Sequence, residues 1–265
     1  MTSGQLNIAL SEPATISGKI AYAPCAGLLA GGDRSGTIQI WDVRQPDDMR
    51  LIRFLRGHPA NINALTFNPV NPGLLASCGR DMTVRLWDTE SGDELASLQA
   101  YGANGAVQFD PTGRYLVTEG EQCSIALWDL SNLSRPTHVS TFESQANSPL
   151  SFAFHPDGSR LVSGNLDRTV RLWEVRSGRM LKAIGRHDGY VTSVAFNPDG
   201  QLVASAGMDD VVRIWKIDDG ECLYTLRAPG PYDGMDITGV IGIDDAQRAS
   251  LKALGAVEVA SSKTG

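Results

Sequence analysis

Five tryptophans set the frame for this chain: Trp41, Trp87, Trp128, Trp173 and Trp215 follow one another at intervals of 46, 41, 45 and 42 residues. Each closes a similar phrase, "GTIQIWD", "MTVRLWD", "CSIALWD", "RTVRLWE" and "DVVRIWK". A period of this length dictates the fold before any local propensity does, because each unit is one supersecondary element that cannot bury its apolar faces alone. Upstream of each phrase lies an apolar strand running into a turn: "KIAYAP", "NALTFNPVNPG", "GAVQFDPTG", "LSFAFHPDG" and "TSVAFNPDG". Proline presets φ in these turns and glycine tolerates the positive values. A second strand follows ("GLLAGG", "LLASCG", "YLVTEG", "RLVSGN", "LVASAG"), and the tryptophan phrase is the third. The fourth is "LIRFL", "ELASL", "MLKAI" or "CLYTL", with "THVSTF" in that place in the third unit. Short strands rich in β-branched and aromatic residues, with turns every 8–12 positions, predict five four-stranded antiparallel sheets.

Strands apolar on both faces need cover on both sides. Radial packing of sheet against sheet supplies it, which is the architecture of β-propeller blades. A single β-sandwich does not explain why tryptophan returns at the same point of every unit. The composition agrees: 42% of the 265 residues are apolar and 20% charged, with 28 Gly and 13 Pro, so the chain is folded and rich in turns. The net charge of −7 disfavours a nucleic-acid backbone as partner. No apolar run approaches the length of a membrane span, and the N-terminus lacks the basic and apolar regions of a signal peptide. Cys25, Cys78, Cys123 and Cys222 form no CxxC pair, so neither a zinc site nor a disulfide framework is expected and a reducing, cytoplasmic compartment is.

The phrases resemble the WD40-repeat family, on the evidence of Gly57-His58, the pairs Trp41-Asp42, Trp87-Asp88 and Trp128-Asp129, and the relaxed "WE" and "WK" of the later units. The resemblance covers roughly residues 12–228 and implies a scaffold for other proteins, usually closed as seven blades. Seven blades at about 42 residues each would need about 294 residues. The fold expected is therefore all-β, a propeller with about five blades visible, incomplete or the end of a larger ring, followed by a short C-terminal helix. The expected division is a stray N-terminal strand over 1–11, blades over 12–228 and a linker with a helical tail over 229–265. Leu6–Leu10 reads as the outer strand of a preceding blade, and "DDAQRASLKALGA" as a helix starting at Asp244 and Asp245 and stopped by Gly255. The tail "YDGMDITGVIG…AQRASLKALGA" resembles the ending of bacterial, cyanobacterial-type WD40 signalling proteins. Upstream domains or self-association would then complete the ring, and exposed apolar surface is expected on the isolated chain.

One constellation invites a catalytic reading: His58, Ser77 and Asp81 stand within two dozen residues, followed by Trp87. Six positions before each tryptophan lie Ser35, Asp81, Gln122, Asp167 and Asp209, and ten before lie Gly31, Ser77, Thr118, Ser163 and Ser205. The set is complete a second time as His187, Ser205, Asp209 and Trp215. A hydrolase needs one exposed nucleophile with an oxyanion site, and no "GxSxG" elbow occurs. A constellation that repeats with the blade period is architecture: the aspartate accepts from the histidine, the histidine bonds the hydroxyl, and the indole completes a buried network. This matches the structural tetrad implied by the WD40 resemblance. Partial sets remain in the first unit (Trp41), the third (Thr118, Trp128) and the fourth (Ser163, Asp167, Trp173), so the first and third blades are expected to be softer. His138 and His155 read as solvated histidines, and Arg85, Arg171 and Arg213 as strand residues with packed stems. No catalytic, cofactor-binding or metal-ligating residue is expected, and no cofactor. The function expected is a non-enzymatic interaction scaffold or the regulatory, sensing module of a signalling assembly with protein partners. The alternative is a ligand-binding or catalytic propeller with its site at the central channel.

Overall fold

The computed structural model describes residues 16–100, 105–143, 148–227, 235, 240, 245–253 and 257. Among the described residues, twenty strands form five antiparallel sheets, each with its strands in chain order. Blade 1 holds β1 (Ile16–Ala23), β2 (Leu28–Asp33), β3 (Thr37–Asp42) and β4 (Arg50–Arg56). Blade 2 holds β5 (Ile62–Phe67), β6 (Leu74–Gly79), β7 (Thr83–Asp88) and β8 (Glu94–Gln99). Blade 3 holds β9 (Val107–Phe109), β10 (Tyr115–Glu119), β11 (Ile125–Asp129) and β12 (Thr137–Phe142). Blade 4 holds β13 (Pro149–Phe154), β14 (Arg160–Asn165), β15 (Thr169–Glu174) and β16 (Met180–Arg186). Blade 5 holds β17 (Val191–Phe196), β18 (Leu202–Gly207), β19 (Val211–Lys216) and β20 (Cys222–Arg227). Helix α1 spans Asp245–Ala253. The expected Leu6–Leu10 strand, Asp244, the helix stop at Gly255 and the linker over 229–234 lie outside the described residues.

The core sits between the sheets, one apolar layer for each successive pair. Between blades 1 and 2, Ile38, Ile40 and Leu55 pack on Phe67, Leu75 and Trp87. Val84, Leu86 and Leu98 of blade 2 meet Phe109, Leu116 and Trp128 of blade 3. Ile125, Leu127 and Phe142 of blade 3 meet Phe154, Leu161 and Trp173 of blade 4. Val170, Leu172 and Ile184 of blade 4 meet Val194, Val203 and Trp215 of blade 5. The rule is constant: the third-strand residues three and one positions before the tryptophan, with one outer-strand residue, face forward, and the tryptophan face of the next blade receives them. Burying each such side chain contributes about 1.5–3 kcal/mol. This explains why the strands read apolar on both faces.

Small residues keep the blades close. A Cβ on Gly32 would lie 2.7 Å from Ile62, and one on Gly164 would lie 2.6 Å from Val191, each the first residue of the next blade's inner strand or its neighbour in the junction. The inner strands of all five blades line a common cavity of about 360 Å³, whose polar wall includes Lys19, Asn63, Thr66, Gln108, Ser151 and Thr192.

Candidate functional site

The two complete His-Ser-Asp-Trp sets are brought together by sheet register. Ser77 pairs with Arg85 across β6 and β7, so Trp87, two residues on, lies on the same face and reaches back to it. The Trp87 indole N–H donates to Ser77 Oγ at 2.7 Å, and Ser77 Oγ lies 2.7 Å from His58 Nε2. His58 Nδ1 is 2.9 Å from Asp81 Oδ1. A carboxylate only accepts, so Nδ1 carries the proton and donates to Asp81, and Nε2 accepts from the Ser77 hydroxyl. Thr83 Oγ1–H donates to the other Asp81 oxygen at 2.9 Å, closing the turn between β6 and β7.

Blade 5 repeats the chain of bonds. Trp215 donates to Ser205 at 2.7 Å, Ser205 lies 2.7 Å from His187 Nε2, and His187 Nδ1 is 2.9 Å from Asp209. The Arg213 guanidinium donates to Asp209 at 2.6 Å, and the Asp188 backbone N–H donates to the same carboxylate at 3.0 Å. The arginines two residues before the tryptophans thus close on acids: Arg85 on Glu94 at 2.6 Å and Arg171 on Asp167 at 2.6 Å.

Ser77, His58, Ser205 and His187 are all buried. Each serine sits inside a strand, with its oxygen already shared between an indole and an imidazole. A nucleophile needs an open approach and donors aimed at a developing oxyanion. Neither hydroxyl has that approach, so the geometry suits locking and not acyl transfer. Burial drives the His58 pKa below its ordinary value, against the opposing pull of Asp81. Burial alone would raise the Asp81 carboxyl, but the bonds from His58 and Thr83 outweigh it and hold it below the usual carboxylate range. Asp209 is held lower still: burial again opposes, and His187, Arg213 and the Asp188 amide prevail.

The partial sets differ in instructive ways. In blade 4 the Trp173 indole donates to Ser163 at 2.9 Å, and the Ser163 hydroxyl donates to Asn165 Oδ1 at 3.2 Å. Asn165 is fully buried and stands where blades 2 and 5 have Gly79 and Gly207. A Cβ on Gly79 would come within 2.5 Å of both His58 and Asp81, and one on Gly207 within 2.6 Å of His187. Glycine therefore goes with histidine, and asparagine takes the space in blade 4. Sequence reasoning missed Asn165, although "SGN" against "SCG" and "SAG" carries the signal. In blade 3, Trp128 donates to Thr118 at 3.0 Å, and Gln122 and the following Cys123 both hold positive φ, 51° and 62°. In blade 1 Trp41 is half-buried, and it is Asp33 that accepts from the Ser35 and Thr37 amides, both at 2.8 Å.

One expectation is corrected. His155 is not a solvated histidine: it is buried at the junction of blades 4 and 5, edge-on to Phe196 with centroids 5.2 Å apart, because its Nδ1 accepts from the Asp157 backbone N–H at 3.2 Å and Gly200 of the next blade leaves room for the ring, where a Cβ would lie 2.0 Å from Nε2. His138 is exposed and lies edge-on to Trp128 at 5.4 Å. Among the described residues, no group of three or more His, Cys, Asp or Glu side chains is placed to hold a metal ion. Cys25, Cys78, Cys123 and Cys222 form no disulfide with one another, and burial pushes the Cys78 thiol up to about 12. No described helix is long and apolar enough to cross a membrane.

Comparison with known proteins adds an independent line. The family model "WD domain, G-beta repeat" matches residues 49–88, 136–174 and 178–216. Each matched segment takes the outer strand of one blade with the first three strands of the next, so the sequence repeat straddles the blade junctions. The WD repeat-containing protein VIP3 of Arabidopsis thaliana is 32% identical over 63% of this chain and 54% of its own length. The pre-mRNA-processing factor 19 of Oryza sativa subsp. japonica is 29% identical over 70% of this chain and 35% of its own. The anaphase-promoting complex subunit cdc20 of Dictyostelium discoideum is 30% identical over 59% and 31%. The chain thus spans about half of the first relative and about a third of the others. Five blades, indole-to-hydroxyl bonds ten residues apart and the matched segments lead to one conclusion: this chain is built on WD40 repeats, three of which the family model matches.

Proposed function

We propose that the chain is a non-enzymatic protein-interaction scaffold, the regulatory or sensing module of a signalling assembly in the cytoplasm. The observation that carries this is the burial of both Ser-His-Asp sets inside the sheets. The repeated polar residues are consumed in building blades, which leaves the inter-strand loops and the channel rim as recognition surface. The names of relatives support it, among them a subunit of the anaphase-promoting complex and a subunit of a chromatin assembly factor. The net charge of −7 favours a partner with basic patches, and four cysteines without a disulfide among them suit a reducing compartment. Resemblance of residues 232–256 to the endings of bacterial signalling proteins supports the signalling context.

A second reading is a small polar ligand in the central cavity. Its support is Gln108 Oε1, buried on the channel wall with no hydrogen-bond partner among the described residues. The test is a paired measurement on the purified chain: capture of a stoichiometric protein partner, and a hydrolase screen run on wild type and Ser77→Ala. A partner retained without turnover supports the scaffold. A turnover abolished in a folded Ser77→Ala variant overturns it.

A further inference from the structure

One register position of the inner strands sets the character of the central cavity. Lys19 pairs with Gly32, Ala64 with Cys78, Ser151 with Gly164 and Ser193 with Ala206. Each partner directly follows the residue ten before the tryptophan, so these inner-strand residues stand at one level of their blades. Ala106 holds that level in blade 3, one residue before the Val107–Thr118 pair. Four blades place alanine or serine there, and blade 1 places lysine. Lys19, Ala64, Ala106 and Ser151 all border the cavity, so small residues leave the space and one cation faces it.

The charge of this wall is opposite to that of the chain. The chain carries 30 Asp and Glu against 23 Lys and Arg, yet among the described residues no carboxylate lines the cavity and Lys19 is its one charged side chain. A recess lined by a single sign of charge concentrates ions of the other sign.

The neutral polar groups divide by what remains free on each. The Thr66 and Thr192 hydroxyls donate to the Phe67 and Ala206 carbonyls at 3.4 and 3.3 Å, which leaves their oxygens as acceptors. Ser151 Oγ accepts from the Val194 backbone N–H at 3.3 Å, so its own proton is free to donate. Gln108 Oε1 lacks a donor among the described residues. The wall thus asks for hydroxyl groups, which both donate and accept, and for one negative charge. Water answers the first request but not the second.

We propose that the central cavity binds a small hydroxylated anion, a sugar phosphate or a sugar acid, with its anionic group on Lys19 and its hydroxyls among Thr66, Gln108, Ser151 and Thr192. This rests on the reading of a small polar ligand in that cavity and adds the ligand's charge and class. The volume of about 360 Å³ lies within the range of small-ligand pockets and suits a hexose-sized molecule.

The test is isothermal titration calorimetry on the purified 265-residue chain with glucose 6-phosphate, gluconate and neutral glucose, in wild type, Lys19→Gln and Lys19→Arg. Lys19 is exposed, so both variants keep the wild-type circular dichroism. Wild type takes up one equivalent of an anionic sugar with a dissociation constant below about 1 mM, at least about tenfold more tightly than glucose. Tighter binding of glucose 6-phosphate assigns a phosphate ester, and tighter binding of gluconate a sugar acid. Lys19→Gln weakens the anion about tenfold, as loss of one charge-assisted bond does, and Lys19→Arg retains it within about threefold. Glucose bound as tightly as the anions overturns the charge assignment and leaves the polar-ligand reading standing. Failure of all three to bind overturns both. Anion binding that Lys19→Gln leaves unchanged lies elsewhere on the chain and overturns the proposal too.

Discussion

Blades 2 and 3 are neighbours on one plan, and they are held differently. In blade 2 every residue of β6 is buried, Trp87 is buried, and its indole begins a chain of bonds through Ser77 and His58 to Asp81 in the next turn. In blade 3 the inner strand is three residues long, Trp128 is half-buried, and its indole ends on Thr118. The turn that holds Asp81 in blade 2 becomes a 3₁₀ turn over Glu121–Cys123 in blade 3, with a glutamine at the aspartate's place. The difference separates two jobs. The apolar pattern and the tryptophan make a sheet and seat it between its neighbours. The polar chain ties the turn to the strand and to the segment entering the blade. Blade 3 shows that the first job is done without the second.

The comparison breaks most sharply at the glycine beside the histidine. Gly79→Asn places a side chain where His58 and Asp81 already lie within 2.5 Å of the first added carbon. A loss of about 3 kcal/mol is expected from overpacking. The reverse change in blade 4, Asn165→Gly, removes one acceptor for Ser163 and costs about 1 kcal/mol. Urea unfolding of the pair reads both, and equal losses would undo the link between glycine and histidine. Next comes the network: Asp81→Ala costs about 1–3 kcal/mol, because a buried histidine loses its acceptor. Thr118→Val in blade 3, which strands one indole N–H that is only half-buried, costs about 1 kcal/mol or less. An unchanged midpoint in Asp81→Ala would remove the network from the account.

The pH profile gives a smaller effect with a definite sign. Burial holds the folded pKa of His58 below its ordinary value. Below about pH 6.5 the unfolded chain therefore takes up a proton that the folded chain refuses. The stability from this group is present at pH 7 and is lost as pH falls from that point toward the lower folded value. Asp81, also depressed, adds a loss of the same sign below about pH 4. Melting temperatures from pH 7 to pH 5 should fall, and fall less steeply in His58→Gln. A flat wild-type profile would show that His58 titrates alike in both states. The smallest effect is at the turn backbone: Met82 holds φ at 59° where blade 1 has Gly36 at 88°. Met82→Gly should raise stability by about 0.5 kcal/mol, strain relieved less the added freedom of the unfolded chain.

Much of this was legible in the sequence for a physical reason. A sheet has a two-residue period and a fixed register, so a tryptophan and a hydroxyl ten positions apart in four of the five units must face each other across a hairpin. That spacing brought Ser77, Thr118, Ser163 and Ser205 to their indoles. The five sheets and the helix after them followed from the same repetition and from the acidic start of α1. What was not legible involves neighbours in space. Asn165 substitutes for a missing group only because of the room glycine leaves elsewhere, and His155 is covered by a blade that begins 36 residues later. Likewise the repeat unit of the sequence runs across a junction, so the packed faces of a blade emerge only when blades and not phrases are counted.

Exchange of the indole N–H protons, followed by NMR in D₂O, tests the central claim most directly, since blades 2 and 3 each carry one tryptophan as a probe. The account predicts that the Trp87 proton, donated to a serine already tied to His58 and Asp81, exchanges only with near-global opening and far more slowly than that of Trp128. A Trp87 proton that exchanges as fast as that of Trp128 would contradict the claim that the His-Ser-Asp set locks its blade.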